Sequence, residues 1–175
     1  MPKRRQILVI GHNAGGCTKL HSDAAYAVGA AVAASGSVLI TGGLGGVMEA
    51  ASKGASEAGG LCVGIIPQND ASHANPYCDV VIPSGMGLTR DYLNALAADG
   101  VIIVGGGSGT LSETCAAYMH KKPIVAIRNL GGSVDPYIDG YVDHRRSVRI
   151  VGVDTPQEAV DAILKMIAAG RRAGR

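Results

Sequence analysis

This chain of 175 residues contains no phenylalanine and no tryptophan, and aromatic residues make up 3% of it. The 26 glycines suggest helices lying close on a sheet through Ala and Gly. No apolar run approaches the roughly 20 residues that cross a bilayer, and no signal-peptide pattern appears, so the chain reads as soluble and cytoplasmic, with no membrane partner. No C-x-x-C motif occurs, and no His stands at zinc-finger spacing. Cys17, Cys62, Cys78 and Cys115 accordingly read as reduced thiols, and no structural metal is expected.

Two nucleotide-site signatures are also missing. After the first apolar run stand Gly11, Gly15 and Gly16, which do not spell G-x-G-x-x-G, and no Walker lysine follows any glycine turn. Ordinary NAD dehydrogenases and P-loop ATPases are disfavoured. A basic stripe is lacking too. Of 16 basic residues, Lys3, Arg4, Arg5, Arg171, Arg172 and Arg175 lie at the two ends, leaving a mildly acidic body against 14 acidic residues. Positions 1–5 and 170–175 read as frayed basic tails, and nucleic acid is not assigned as a partner.

What is present is a pattern used twice. Val38-Leu39-Ile40-Thr41 empties into Gly42-Gly43-Leu44-Gly45-Gly46, with Glu49 beyond; Val101-Ile102-Ile103-Val104 empties into Gly105-Gly106-Gly107-Ser108-Gly109-Thr110, with Glu113 beyond. Each reads as a buried strand, a tight turn and a helix start. Such turns let backbone N–H groups approach a phosphate, and the helix N-terminus adds positive potential.

The length favours a single domain. Strands are predicted at 6–10, 37–41, 61–66, 79–82, 100–104, 123–127 and 147–151. Helices are predicted from Ser22 or Asp23 to Ser35, then at 47–58, 88–98, 110–120 and from Pro156 to about Ala169. Continuously apolar strands alternating with helices predict a doubly wound, mostly parallel α/β sheet, Rossmann-like, with helices on both faces. Both glycine turns, the loop after the first strand and the segment before Arg90 then fall at the carboxyl edge of that sheet, where such folds bind ligands.

The run Gly105-Gly106-Gly107-Ser108-Gly109-Thr110-Leu111-Ser112-Glu113 resembles the P-G-G-x-G-T-x-x-E signature of the Lonely Guy family, often mislabelled as lysine decarboxylases. The first turn, followed by Gly64-Ile65-Ile66-Pro67, resembles the same superfamily. Arg90-Asp91-Tyr92-Leu93-Asn94-Ala95-Leu96 more closely resembles its neighbouring branch, the molybdenum cofactor carrier proteins and their uncharacterised relatives. The Lonely Guy enzymes are phosphoribohydrolases that release cytokinin bases from riboside 5′-monophosphates. By this resemblance Arg90 matches the catalytic arginine and Glu113 the catalytic glutamate, and a homodimer or homotetramer is implied. Two departures stand out. Gly105 replaces the signature proline, which loosens the turn, and Leu88-Thr89-Arg90-Asp91 lacks the M-x-x-R-K pattern.

The same residues also have plainer readings. Thr110-x-x-Glu113 has the form of a capping box. Glu49 suits any helix N-terminus. Arg90 lies in the first turn of its helix, where a cation opposes the macrodipole; Leu88, Tyr92, Ala95 and Leu96 form an apolar stripe that leaves Arg90 and Asn94 on another face. A phosphate or carboxylate ligand would explain that arginine, and so would an ion pair with Asp91 or another subunit. Ser108 and Thr110 offer hydroxyls to a phosphate. Gly11, His12 and Asn13 offer contacts to a base or sugar, or simply form a solvated loop. His73 reads as surface and Cys17 as passive. The long Arg128–Arg146 segment suggests a lid or a subunit contact.

Two functions follow. One is the binding of a phosphorylated, nucleotide-like ligand, a nucleoside monophosphate or a molybdopterin-type cofactor, at Gly11, His12, Gly42, Gly43, Gly45, Gly46, Asn94 and Gly106–Thr110. The other is cleavage of the N-glycosidic bond of a nucleoside 5′-monophosphate by Arg90 and Glu113. A regulatory nucleotide sensor is a third use of such a fold. The residues favour ligand binding.

Overall fold

A computed structural model describes residues 3–173 of the chain. Along it run β1 (Gln6–Gly11), α1 (Lys19–Ala34), β2 (Val38–Thr41), α2 (Val47–Glu57), β3 (Leu61–Ile66), β4 (Val80–Pro83), α3 (Arg90–Ala97), β5 (Gly100–Val104), α4 (Ser108–Met119), β6 (Ile124–Ile127), β7 (Ile150–Val153) and α5 (Pro156–Ala173). The strands form one sheet in the order β4-β3-β2-β1-β5-β6-β7, and every described pairing is parallel. This is the predicted doubly wound α/β fold.

The sheet forms because its strands are aliphatic and largely β-branched throughout, a pattern suited to burial on both faces. β2, β5 and β6 are buried at every position. One face, with Ile7, Val9, Leu39, Ile102 and Val125, lies under α1, α2 and α5. The other, with Leu8, Ile10, Ile40, Val101 and Ile103, meets Ala95 of α3 and Ala116 and Ala117 of α4.

Glycine does bring helices close, but to each other as much as to the sheet. A Cβ on Gly29 of α1 would stand 2.0 Å from the Ala51 carbonyl oxygen of α2, and one on Gly54 would stand 2.0 Å from that of Tyr26. The two backbones therefore touch at both crossings.

Four expectations need correction. First, α1 starts at Lys19, with Thr18 rather than Ser22 or Asp23 before it, because the His21 ring accepts the Thr18 N–H at 3.1 Å. Second, β7 begins three residues later than expected. Third, the last helix runs to Ala173, beyond its predicted end near Ala169. Positions 1–2 and 174–175 of the expected tails lie outside the described residues. Fourth, the Arg128–Arg146 segment is not a free lid. Val134 is buried in the core, and Arg128 pairs with Asp139 at 2.6 Å and with Asp154 at 3.2 Å. The Tyr118 hydroxyl donates to Asp143 and accepts the Ser147 N–H.

Candidate functional site

The strand order reverses between β1 and β5, whose ends Gly11 and Val104 lie side by side. Doubly wound sheets bind ligands in the crevice outside such a switch point. A cleft of about 290 Å³ opens there. Of the residues singled out in the sequence, Gly11, His12, Asn13, Gly42, Arg90, Gly107, Ser108, Gly109, Thr110 and Glu113 line it.

The second glycine turn forms one wall. Gly105 sits at φ +61° and Gly106 at φ +117°, and α4 then begins at Ser108 with Gly107 at its N-cap. Proline fixes φ near −65°, so the signature proline cannot stand at position 105 in this backbone. The turn there needs a residue free to take a left-handed φ. Gly107 offers no side chain to cap the helix, and the first N–H groups of a helix have no partner within it. Gly107, Ser108 and Gly109 thus present uncapped backbone to the cleft, with the positive end of α4 behind them.

Because α4 starts two residues before Thr110, the capping box suggested by Thr110-x-x-Glu113 does not form. The Thr110 hydroxyl instead donates to the Gly11 carbonyl at 3.0 Å, tying α4 to the end of β1. It is committed to structure. The Glu113 side chain points into the cleft, where its Oε1 accepts from Asn94 Nδ2 at 2.9 Å and from Arg90 Nη1 at 3.5 Å. Burial, aided by the charge of Asp91, pushes its carboxyl up to about 7, against the pull of Asn94 and Arg90.

Arg90 is the first residue of α3 and is itself buried. Its Nη1 donates to Asp91 Oδ1 at 2.8 Å, and its Nη2 donates to the Gly42 carbonyl at 3.5 Å. The ion pair with Asp91 expected as one alternative is therefore real, and it coexists with a place on the cleft wall. Burial raises the Asp91 carboxyl, with Arg90 opposing. Two buried atoms of this group, Arg90 Nε and Asn94 Oδ1, have no hydrogen-bond partner.

The orientation of α3 reverses the usual pattern. Its polar residues Arg90, Asp91 and Asn94 face inward, and Asn94 is fully buried. Of the apolar stripe, only Ala95 is buried, against the sheet; Leu88 is 85% exposed, and Tyr92 and Leu96 are also exposed. Val80 and Ile82 of the edge strand β4 are exposed as well.

The first glycine turn is mainly structural. Gly42 and Leu44 reach the cleft, whereas Gly43, Gly45 and Gly46 do not line it. A Cβ on Gly43 would stand 2.5 Å from Ile66, and one on Gly46 would stand 2.6 Å from the His12 carbonyl oxygen. These glycines let the turn pack against β3 and the first loop. Gly106 likewise lies behind the wall, and Asn94 acts through Glu113. Glu49 and Cys17 line a separate cleft beside Lys53 and Tyr77. His73 is exposed, as expected.

Sequence reasoning missed His21. Its ring stacks 4.6 Å from that of His12, and its Nε2 donates to the Leu130 carbonyl at 2.6 Å, leaving Nδ1 to accept from Thr18. Burial and then the His21 ring lower the His12 pKa. A lone histidine in the first turn of an Ala-rich helix carries no pattern that would have marked it. Asp91, Met48 and Pro67 also line the cleft without having been singled out for it.

Residues 4–160 match the SLOG cluster4 family. The chain belongs to that family. An uncharacterised protein of Archaeoglobus fulgidus is 43% identical over 126 residues, 72% of this chain and 82% of that protein. Among solved structures, the molybdenum cofactor binding protein of Rippkaea orientalis is 30% identical with TM-score 0.81, covering 94% of this chain and 98% of that one. The molybdenum cofactor carrier protein of Chlamydomonas reinhardtii is 28% identical with TM-score 0.78, covering 95% and 99%. This SLOG cluster4 member thus shares its whole fold with proteins named for holding that cofactor.

Proposed function

We propose that this SLOG cluster4 protein binds a phosphorylated, nucleotide-like ligand, either a nucleoside monophosphate or a molybdopterin-type cofactor. The phosphate sits on the backbone of Gly107–Gly109, and the rest of the ligand lies toward Gly42, Met48 and Leu88. The observation that carries this reading is the uncapped start of α4, which opens on a cleft at the β1–β5 switch point. Likeness to the carrier and binding proteins of Rippkaea and Chlamydomonas supports it. The outward apolar stripe of α3 beside β4 suits the homo-oligomer implied by the family resemblance.

A second reading has its own observation. A carboxyl held near pH 7 inside a cleft suits proton transfer at neutral pH. Glu113 would then activate water for attack at the anomeric carbon of a nucleoside 5′-monophosphate, in the manner of a phosphoribohydrolase. Incubation with AMP and with a cytokinin riboside monophosphate separates the two. Retention of the intact nucleotide without base release supports binding alone. Base release that disappears in Glu113→Gln supports hydrolysis. Retention of neither, and of no phosphorylated pterin, overturns both.

A further inference from the structure

We propose that the phosphorylated ligand enters this cleft together with one proton, and that Glu113 takes the proton up. The inference rests on the ligand reading above and concerns the charge of the same site. Among the described residues lining the cleft, Arg90 is the sole Arg or Lys, and it stands against two carboxylates, Asp91 at 2.8 Å and Glu113 at 3.5 Å. Both carboxylates are nearly buried, so water screens them little. A dianionic phosphate on the Gly107–Gly109 backbone would add negative charge to a site already carrying an excess. His12 does not offset it, because burial and the neighbouring His21 ring favour its neutral form. Ser108 and Thr110, the other polar side chains of α4 here, are uncharged. Protonating one carboxylate resolves the imbalance.

Asn94 singles out Glu113 over Asp91. Its amide is fully buried, its Nδ2 donates to Glu113 Oε1 at 2.9 Å, and its Oδ1 has no partner. Half a turn of that amide sets Oδ1 opposite Glu113, where a protonated carboxyl donates to it. One side chain thus accommodates either protonation state, and the unpartnered oxygen is the acceptor that the protonated state uses. Burial already holds the Glu113 carboxyl near neutrality before any ligand arrives.

The test is AMP binding followed by isothermal titration calorimetry between about pH 7.5 and 9.5, where the AMP phosphate stays dianionic, in pairs of buffers with different ionisation enthalpies. The expected result is uptake of close to one proton by the wild-type chain, with affinity falling toward tenfold per pH unit. Both effects vanish in Glu113→Gln. Asn94→Ala removes a bond that favours the carboxylate, so the midpoint of the pH dependence moves upward. Binding without proton uptake overturns this inference and leaves the ligand reading standing. Uptake that persists in Glu113→Gln and is lost in Asp91→Asn, or a midpoint unmoved in Asn94→Ala, overturns the assignment to Glu113. No AMP binding at any pH overturns the nucleoside-monophosphate form of the ligand reading, and this inference with it.

Discussion

Asn94 donates to Glu113 Oε1 across 2.9 Å from a helix that turns Arg90, Asp91 and Asn94 inward while Tyr92 and Leu96 face solvent. The contact joins α3 to α4 beneath the cleft and fixes the carboxylate of the GTxxE run in place. It also accounts for an asparagine that is wholly buried.

The environment of Glu113 predicts a pH-dependent stability. Its carboxyl is raised from 4.5 to about 7, so the folded state holds the proton more tightly than the unfolded state. A group of that sign stabilises most below its unfolded pKa, and the contribution is lost as pH rises through the folded value, between about 4.5 and 7. Glu113→Gln keeps a neutral partner for Asn94 and removes the loss. Its thermal unfolding should match that of the wild type near pH 4 and exceed it at pH 8, by an amount on the order of 3 kcal/mol. Equal melting at pH 8 contradicts the burial argument.

At position 105, restoring the signature proline should damage this chain. The backbone there has φ +61°, which proline cannot adopt, so Gly105→Pro should lower stability by about 3 kcal/mol or more. Gly105→Ala costs less, about 1 to 2 kcal/mol for the left-handed conformation, with added strain because its Cβ would stand 2.9 Å from the Gly131 carbonyl oxygen. Denaturant midpoints of the two variants give the ordering, and a tolerated proline contradicts the left-handed turn at position 105.

Where α1 crosses α2, Gly29→Ala and Gly54→Ala should each lower stability by roughly 1–3 kcal/mol, because the added methyl meets a carbonyl oxygen rather than a movable side chain. Alanine normally favours a helix by about 1 kcal/mol over glycine. A rise in melting temperature would therefore show that the helices do not touch.

The exposed stripe of α3 predicts self-association. Leu96→Glu, at an exposed site away from the cleft, should shift the assembly toward monomer in sedimentation while leaving the circular dichroism unchanged. A wild-type chain that sediments as a monomer contradicts this use of the stripe.

The sheet was legible in the sequence because aliphatic, β-branched runs such as Val101-Ile102-Ile103-Val104 allow little besides a buried strand, and glycine pairs mark where each one ends. Arg90, Glu113 and the Gly107–Thr110 wall were found through the signature they carry. The rest was set by tertiary contacts. Thr110-x-x-Glu113 looks like a cap only if the helix starts at Thr110; the open turn at Gly105 and Gly106 lets it start at Ser108. Leu88, Tyr92 and Leu96 of the stripe would ordinarily face a core with Ala95, but Arg90 and Asn94 are drawn inward by Glu113 and the Gly42 carbonyl, and Asp91 by Arg90. The Arg128–Arg146 segment read as a lid or a subunit contact because the groups that hold it, Tyr118 and Asp154 outside it and Val134 and Asp139 within it, form no periodic pattern.

The central claim, that backbone N–H groups at the start of α4 hold a phosphate, is tested most directly by AMP binding to Ser108→Pro. Proline is favoured at the first position of a helix, so the fold is retained while one N–H of the wall is deleted. Ser108→Ala serves as the control for the lost hydroxyl. The account predicts that AMP affinity falls about tenfold or more in Ser108→Pro relative to Ser108→Ala, the scale of one charge-assisted hydrogen bond. Equal affinity in the two variants would contradict it.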